Sequence, residues 1–147
     1  VEGLRKLHDE GRAHGAVTPD AIALTPAGLD LLPAVPGPRI ITPYTAPEVA
    51  ADHRPADSRS DMFAFGVVLF EMLTERRAFE GENEAALVIS LASAPMPPSG
   101  SPAVDRLIAG CVAKDPARSL AADAEDSTGI EAADRGRSPR RLFGLPA

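Results

Sequence analysis

The side chains able to do chemistry gather first in the stretch HGAVTPDAI, which sets His14, Thr18 and Asp20 in one short loop. A histidine there acts as a base or metal ligand, or it packs as part of the loop scaffold. The scaffold role is the reading adopted for His14. Asp20 follows Pro19 and reads as a turn carboxylate rather than a cleft acid. His8 and His53 read as solvated. No metal centre emerges, because the sequence holds neither a close histidine pair nor a His/Cys cluster. Cys111 is the only cysteine, which excludes an internal disulfide and a cysteine-rich zinc site. The basic stretch RGRSPRR from Arg135 reads as a solvated tail, with an acidic partner or phosphorylation at Ser138 as the alternatives.

These residues must be positioned by a small set of elements. Residues 1 to 10 read as the end of a helix with Val1, Leu4 and Leu7 on one face and Gly11 as its stop. The chain starts inside that amphipathic pattern without an initiator methionine, which reads as a partial sequence. After the loop Arg12 to Asp20, the apolar runs Ile22 to Leu24 and Leu29 to Leu32 flank the turn residues Thr25 to Gly28, and a small hairpin is expected. Between Pro33 and Pro55 periodicity disappears, apart from a helical turn after Pro47. Ser58 and Asp61 stand in capping-box spacing before MFAFGVVLFEML, a run apolar on nearly all sides. Such a short, greasy helix belongs at the centre of a core, with everything else packed around residues 61 to 74. Two more helices are expected. One covers Asn83 to Ala92, with Ala86, Leu87, Ile89 and Leu91 apolar. The other covers Pro102 to Lys114, capped by Ser101, with Leu107, Ile108, Cys111 and Val112 facing inward.

Composition narrows the function classes. The chain has 147 residues, enough for one core of ordinary domain size. Its formal net charge of -6 argues against a nucleic-acid partner, whose phosphates require basic side chains. The longest apolar run, Met62 to Phe70, is well short of the ~20 residues that span a bilayer. Charged residues from Glu2 to Glu10 break every apolar run near the start, so no secretory or transit signal is visible. A reducing cytoplasm fits the lone cysteine. After Arg118 the sequence shifts to an acidic and then a basic run, and residues 120 to 147 read as a disordered tail.

Five landmarks then fall in one order: LHDEG, HGAVTPDAI, APE at Ala46 to Glu48, SDMFAFGVVLFEML, and AKDPARS at Ala113 to Ser119. Together, over residues 1 to 119, they resemble the C-terminal lobe of a bacterial-type serine/threonine protein kinase. The resemblance implies a mainly α fold, a helical bundle around a central buried helix with one small β-hairpin, and an N-terminal lobe absent from this chain. It implies structural roles for His14, for Asp61 as acceptor of catalytic-loop amides, for Gly66 in the central helix, and for Glu48 and Arg118 as an ion pair.

The same resemblance exposes what is missing. Phosphoryl transfer in that family depends on an aspartate that orients the substrate hydroxyl and on an asparagine and a second aspartate that hold magnesium. Ala16, Thr18 and Ala21 stand where the loop needs its aspartate, lysine and asparagine, and Pro33, Ala34 and Val35 stand in place of Asp, Phe and Gly. Another register makes Asp30 the metal ligand. Loss of a general base alone costs ~100-fold to 10,000-fold. Thr42 matches the family's threonine near the peptide site if one residue is deleted before Tyr44. Phosphorylation at Thr42, Tyr44 or Thr45 would lack the arginine that usually receives it, because Gly15 follows His14.

The expectation is a catalytically inactive, pseudokinase-like module of a larger regulatory protein, binding a protein partner through residues 79 to 93. No cofactor is expected for this segment, and ATP and magnesium enter only if the full-length protein is active. The alternatives are an atypical kinase that transfers phosphate slowly with an upstream lobe, and a decayed remnant that does not fold stably.

Overall fold

A computed structural model describes residues 2–112. Its elements are helix α1 (Glu2–Asp9), strands β1 (Ile22–Thr25) and β2 (Gly28–Leu31), and helices α2 (Pro47–Ala50), α3 (Ser58–Thr74), α4 (Glu84–Ser93) and α5 (Pro102–Cys111). The described residues are thus mainly helical, with one two-stranded antiparallel sheet, as the sequence leads one to expect.

α3 is the axis of the core. Phe63, Ala64, Val67, Val68 and Phe70 are all buried, and they point to more than one side, so neighbours must enclose the helix. Its cap lies one residue earlier than the sequence suggests. Asp57, not Ser58, is the N-cap: its carboxylate accepts from the Arg59 and Ser60 amides at 2.9 and 3.0 Å, and Ser60 Oγ accepts from the Asp57 amide at 2.8 Å. A carboxylate at the N-cap and a hydroxyl at N3 satisfy orphan donors as well as the reverse arrangement would. This correction has a functional result, because Asp61 is left free of capping. Burial opposes ionisation of Asp57, but the hydrogen bonds from Ser60 and Arg59 outweigh it and hold the carboxyl below its usual range.

α5 lies against α3 where Gly66 allows close approach: a Cβ at Gly66 would sit 2.6 Å from Cys111 Cβ and 2.8 Å from Val112 Cγ1. α4 packs against α2, turning Leu87 and Leu91 inward, one helical turn apart. Leu107, expected to face inward, is 51% exposed, and Ile89, expected only as one of the apolar residues of its helix, is 66% exposed, because α4 and α5 each bury a single stripe. Ser101 precedes α5 but makes no side-chain capping bond; the Asp105 carboxylate instead accepts from the Ser99 amide at 2.7 Å. α1 buries Leu4 and contacts β2. In the hairpin Thr25 pairs with Gly28, so the turn itself is only Pro26 and Ala27, and β2 ends at Leu31. Among the described residues no helix is long and apolar enough to cross a membrane.

Candidate functional site

The site starts where α1 stops. Gly11 takes φ +70°, and the Gly11 and Arg12 amides close back on the His8 and Leu7 carbonyls, turning the chain toward the N-terminal end of α3. His14 is buried there. Its Nε2 lies 2.7 Å from the Leu32 carbonyl oxygen, which can only accept, so Nε2 carries the proton. Nδ1 then accepts from the Ala16 amide at 3.3 Å. Both ring nitrogens are used by the backbone.

Asp61 holds the loop from below. Only 1% exposed, its Oδ2 accepts from the His14 amide at 2.7 Å and its Oδ1 from the Gly15 amide at 2.8 Å. His8 Nε2 reaches the same Oδ2 at 3.0 Å, so His8 is not solvated as expected but has 17% side-chain exposure and joins the network. The reason is helical spacing: His8 lies four residues after buried Leu4 and shares its face. That spacing was available in the sequence, and only the polarity of histidine hid it. His53 is exposed, as expected.

A cavity of about 390 Å³ lies between the His14 loop and the segment leading to α2. Gly15, Ala16, Thr18 and Ala34 line it with Asp61 at its floor. Pro33 and Ala34 line a neighbouring hollow beside α1. Ala21 ends a 3-10 turn, its amide on the Thr18 carbonyl at 3.0 Å and its carbonyl accepting from Leu32 at 2.8 Å. The side chains at 16, 21, 33 and 34 are thus methyl groups and a ring. Asp61 is the one carboxylate among the residues lining the cavity, and both its oxygens already accept backbone amides. Asp20 is exposed on the 3-10 turn. Asp30 lies within β2 opposite Ala23, its Oδ1 accepting from the Leu31 amide at 2.9 Å, so it precedes the strand's end. Among the described residues no three His, Cys, Asp or Glu side chains are grouped to hold a metal ion.

The far wall of the cavity is a turn at residues 42 to 45. Thr45 Oγ1 accepts from the Thr42 amide at 2.9 Å, and Thr42 Oγ1 accepts from the Tyr44 amide at 3.3 Å. The Tyr44 hydroxyl donates to Glu71 on α3 at 2.5 Å. Burial first, and then this bond to a carboxylate, push the Tyr44 phenol up to about 12. Sequence reasoning missed Glu71, which sits in the last turns of α3 without a local partner to signal its role. Glu48 lies in the first turn of α2, and its carbonyl accepts from the Arg54 amide at 3.2 Å. Its expected partner Arg118 lies outside the described residues, as does the segment AKDPARS.

Comparison with known proteins agrees with this arrangement. Residues 39–125 match the family model described as the protein kinase domain. A Corynebacterium efficiens protein named serine/threonine-protein kinases drp72 is 32% identical over 142 residues, covering 95% of this chain and 25% of the relative. The probable serine/threonine-protein kinase PknB of Corynebacterium glutamicum is 31% identical over 168 residues, with 95% and 25% covered. The serine/threonine-protein kinase PknA of Mycobacterium tuberculosis is 28% identical over 160 residues, with 97% and 37% covered. The chain therefore spans about a quarter to just over a third of the length of these curated relatives.

Proposed function

The chain belongs to the protein kinase domain family, and from that premise we propose that it is a kinase-like lobe that does not transfer phosphate and acts by binding a protein partner in the cytoplasm. The observation that carries this reading is the division of labour among its oxygen ligands. Asp61, whose task is to hold the loop, is present and fully hydrogen-bonded. The groups that would hold magnesium and orient a hydroxyl are replaced by Ala16, Ala21 and Pro33. Magnesium requires several oxygen ligands in near-octahedral array, usually one or two carboxylates beside phosphates and waters. The residues lining this cavity do not fit a magnesium-bound nucleotide.

The partner surface we favour is the outer face of α4 and the residues before it, from 79 to 93, where Ile89 stands exposed on a helix whose inner side is anchored by Leu87 and Leu91. The lone cysteine, Cys111, is buried and unpaired with any other, which suits a reducing compartment. A second reading rests on the relatives, whose names call them serine/threonine kinases. In that reading the remaining length of the whole protein supplies phosphate contacts that sustain slow transfer to protein Ser/Thr.

Thermal unfolding of the whole protein with and without Mg·ATP separates the two. A nucleotide present at 100 times its dissociation constant stabilises the native state by about 2.7 kcal/mol. We expect no such rise and no transfer of label from ATP to the protein. A nucleotide-dependent rise, with label transfer that Ala16→Asp and Ala21→Asn increase, favours the second reading and overturns the first.

A further inference from the structure

The segment between β2 and α2 has no regular secondary structure before Pro47, yet it is tied down at both ends of its last turn. Its one long cation is Arg39. From the segment itself, Arg39 Nη1 reaches across to the His53 and Arg54 carbonyl oxygens at 3.3 and 3.1 Å, in the loop that follows α2. That loop is shaped to receive it: His53 takes the left-handed conformation at φ 55°, and the Arg54 amide closes on the Glu48 carbonyl. Pro36, Pro38 and Pro43 restrict the backbone on either side of the arginine.

The loop beside His14 does not offer a competing cation. Gly15 sits there at φ +73°, where a Cβ would lie 3.3 Å from Ala56 Cβ, so a larger residue would be both strained and crowded. The hydroxyls of the segment are also engaged: Thr45 Oγ1 accepts from the Thr42 amide and pairs with Thr42 Oγ1, which accepts from the Tyr44 amide, and the Tyr44 hydroxyl donates to Glu71 on α3. A phosphate on any of the three would have to break one of these bonds, and the usual ordering route through an arginine beside the loop histidine has no receptor.

We propose that Arg39 is a built-in clasp that holds residues 33 to 48 ordered without phosphorylation. The segment is permanently set by an arginine it carries itself, where a switchable segment would be set by a phosphate meeting an arginine elsewhere. The clasp concerns how the segment is held, and it stands whether or not the whole protein transfers phosphate.

Hydrogen exchange on the whole protein, after phosphatase treatment, tests this. The Thr42, Tyr44 and Thr45 amides, all hydrogen-bonded, exchange slowly in the untreated and treated protein alike if the clasp suffices. Arg39→Ala should accelerate them about tenfold, the scale of one or two hydrogen bonds to a charged group, with the α3 amides unchanged. Arg39→Lys, which keeps the charge but not the planar guanidinium that aims Nη1 at both carbonyls, should fall between the two. If Arg39→Ala speeds exchange in α3 as well, Arg39→Lys is compared at equal global stability, and a rate at residues 42 to 45 equal to wild type rejects the clasp. Protection that appears only in the phosphorylated protein, or that survives Arg39→Ala, also overturns the proposal.

Discussion

Replacing Asp61 by asparagine tests the physical basis of the whole site, because the change keeps shape and removes only charge and one acceptor. In the wild type, Oδ2 accepts from the His14 amide and from His8 Nε2, and Oδ1 accepts from the Gly15 amide. An asparagine has one oxygen to offer and an NH2 group that only donates. If its oxygen serves His14 and His8, its NH2 faces the Gly15 N–H, donor against donor. If the side chain flips, the conflict moves to His14, whose amide is buried. Either way a charge-assisted bond worth about 1.5–3 kcal/mol weakens and one donor is left without a partner, at a further cost of about 1–3 kcal/mol. Some of this is recovered, because the carboxylate no longer has to be desolvated.

The expected net loss for Asp61→Asn is about 3 kcal/mol, read from the denaturant midpoint at unchanged slope. A stability of 5–15 kcal/mol for an ordinary domain makes that a large fraction of the total. Hydrogen exchange should localise the effect, with the His14 and Gly15 amides losing protection beyond the global shift. A loss under about 0.5 kcal/mol, typical of a surface change, would refute the reasoning that Asp61 is the loop's anchor.

Three further outcomes follow from particular contacts. Gly66→Ala places a methyl 2.6 Å from Cys111 Cβ, and since the clashing atom is Cβ rather than Sγ, trimming the thiol with Cys111→Ala should not relieve it. Overpacking of about 1–3 kcal/mol outweighs the helix-propensity gain of about 1, so chemical denaturation should show a net loss of about 1 kcal/mol or more. Glu75 ends α3 at φ 55°, so Glu75→Gly should stabilise by up to about 1 kcal/mol in the same assay. Tyr44 is the only tyrosine, and the chain lacks tryptophan, so tyrosinate absorbance reports it alone. Its midpoint should lie near 12 in the folded protein against about 10 when unfolded. Because the folded value is the raised one, stability is intact below about pH 10 and declines as pH climbs toward 12. A folded midpoint near 10 would mean that Tyr44 is neither buried nor bonded to Glu71.

How far the fold was legible depended on whether a residue's chemistry agreed with its burial. The greasy run in α3 announced a central helix because a stretch apolar on several sides has nowhere else to go. The turn residues Thr25 to Gly28 between two apolar runs announced the hairpin, although only Pro26 and Ala27 form the turn itself. The errors fell on polar groups near the core. His8 was assigned to solvent by its polarity, although its spacing from Leu4 placed it inside. The box read at Ser58 and Asp61 was displaced to Asp57 and Ser60, since several Ser and Asp residues in a row can cap equally well and only the tertiary demand on Asp61 decides among them. Leu107 reads as inward by its apolarity, although a helix covered on one side exposes such residues without penalty.

The same logic applies to the His14 loop. Each of its buried amides needs a partner whatever side chains the loop carries, so the residues that satisfy the backbone are fixed by the fold. Asp61 and His14 each serve the His14 loop's backbone, and Asp61 also receives His8 from α1. The methyl groups of Ala16 and Ala21 leave no buried polar atom behind. Among the described residues no buried side-chain nitrogen or oxygen lacks a partner. Substituting a side chain that makes no backbone contact in the loop therefore costs the fold little, whereas substituting the backbone-facing carboxylate of Asp61 would cost it a large share of its stability.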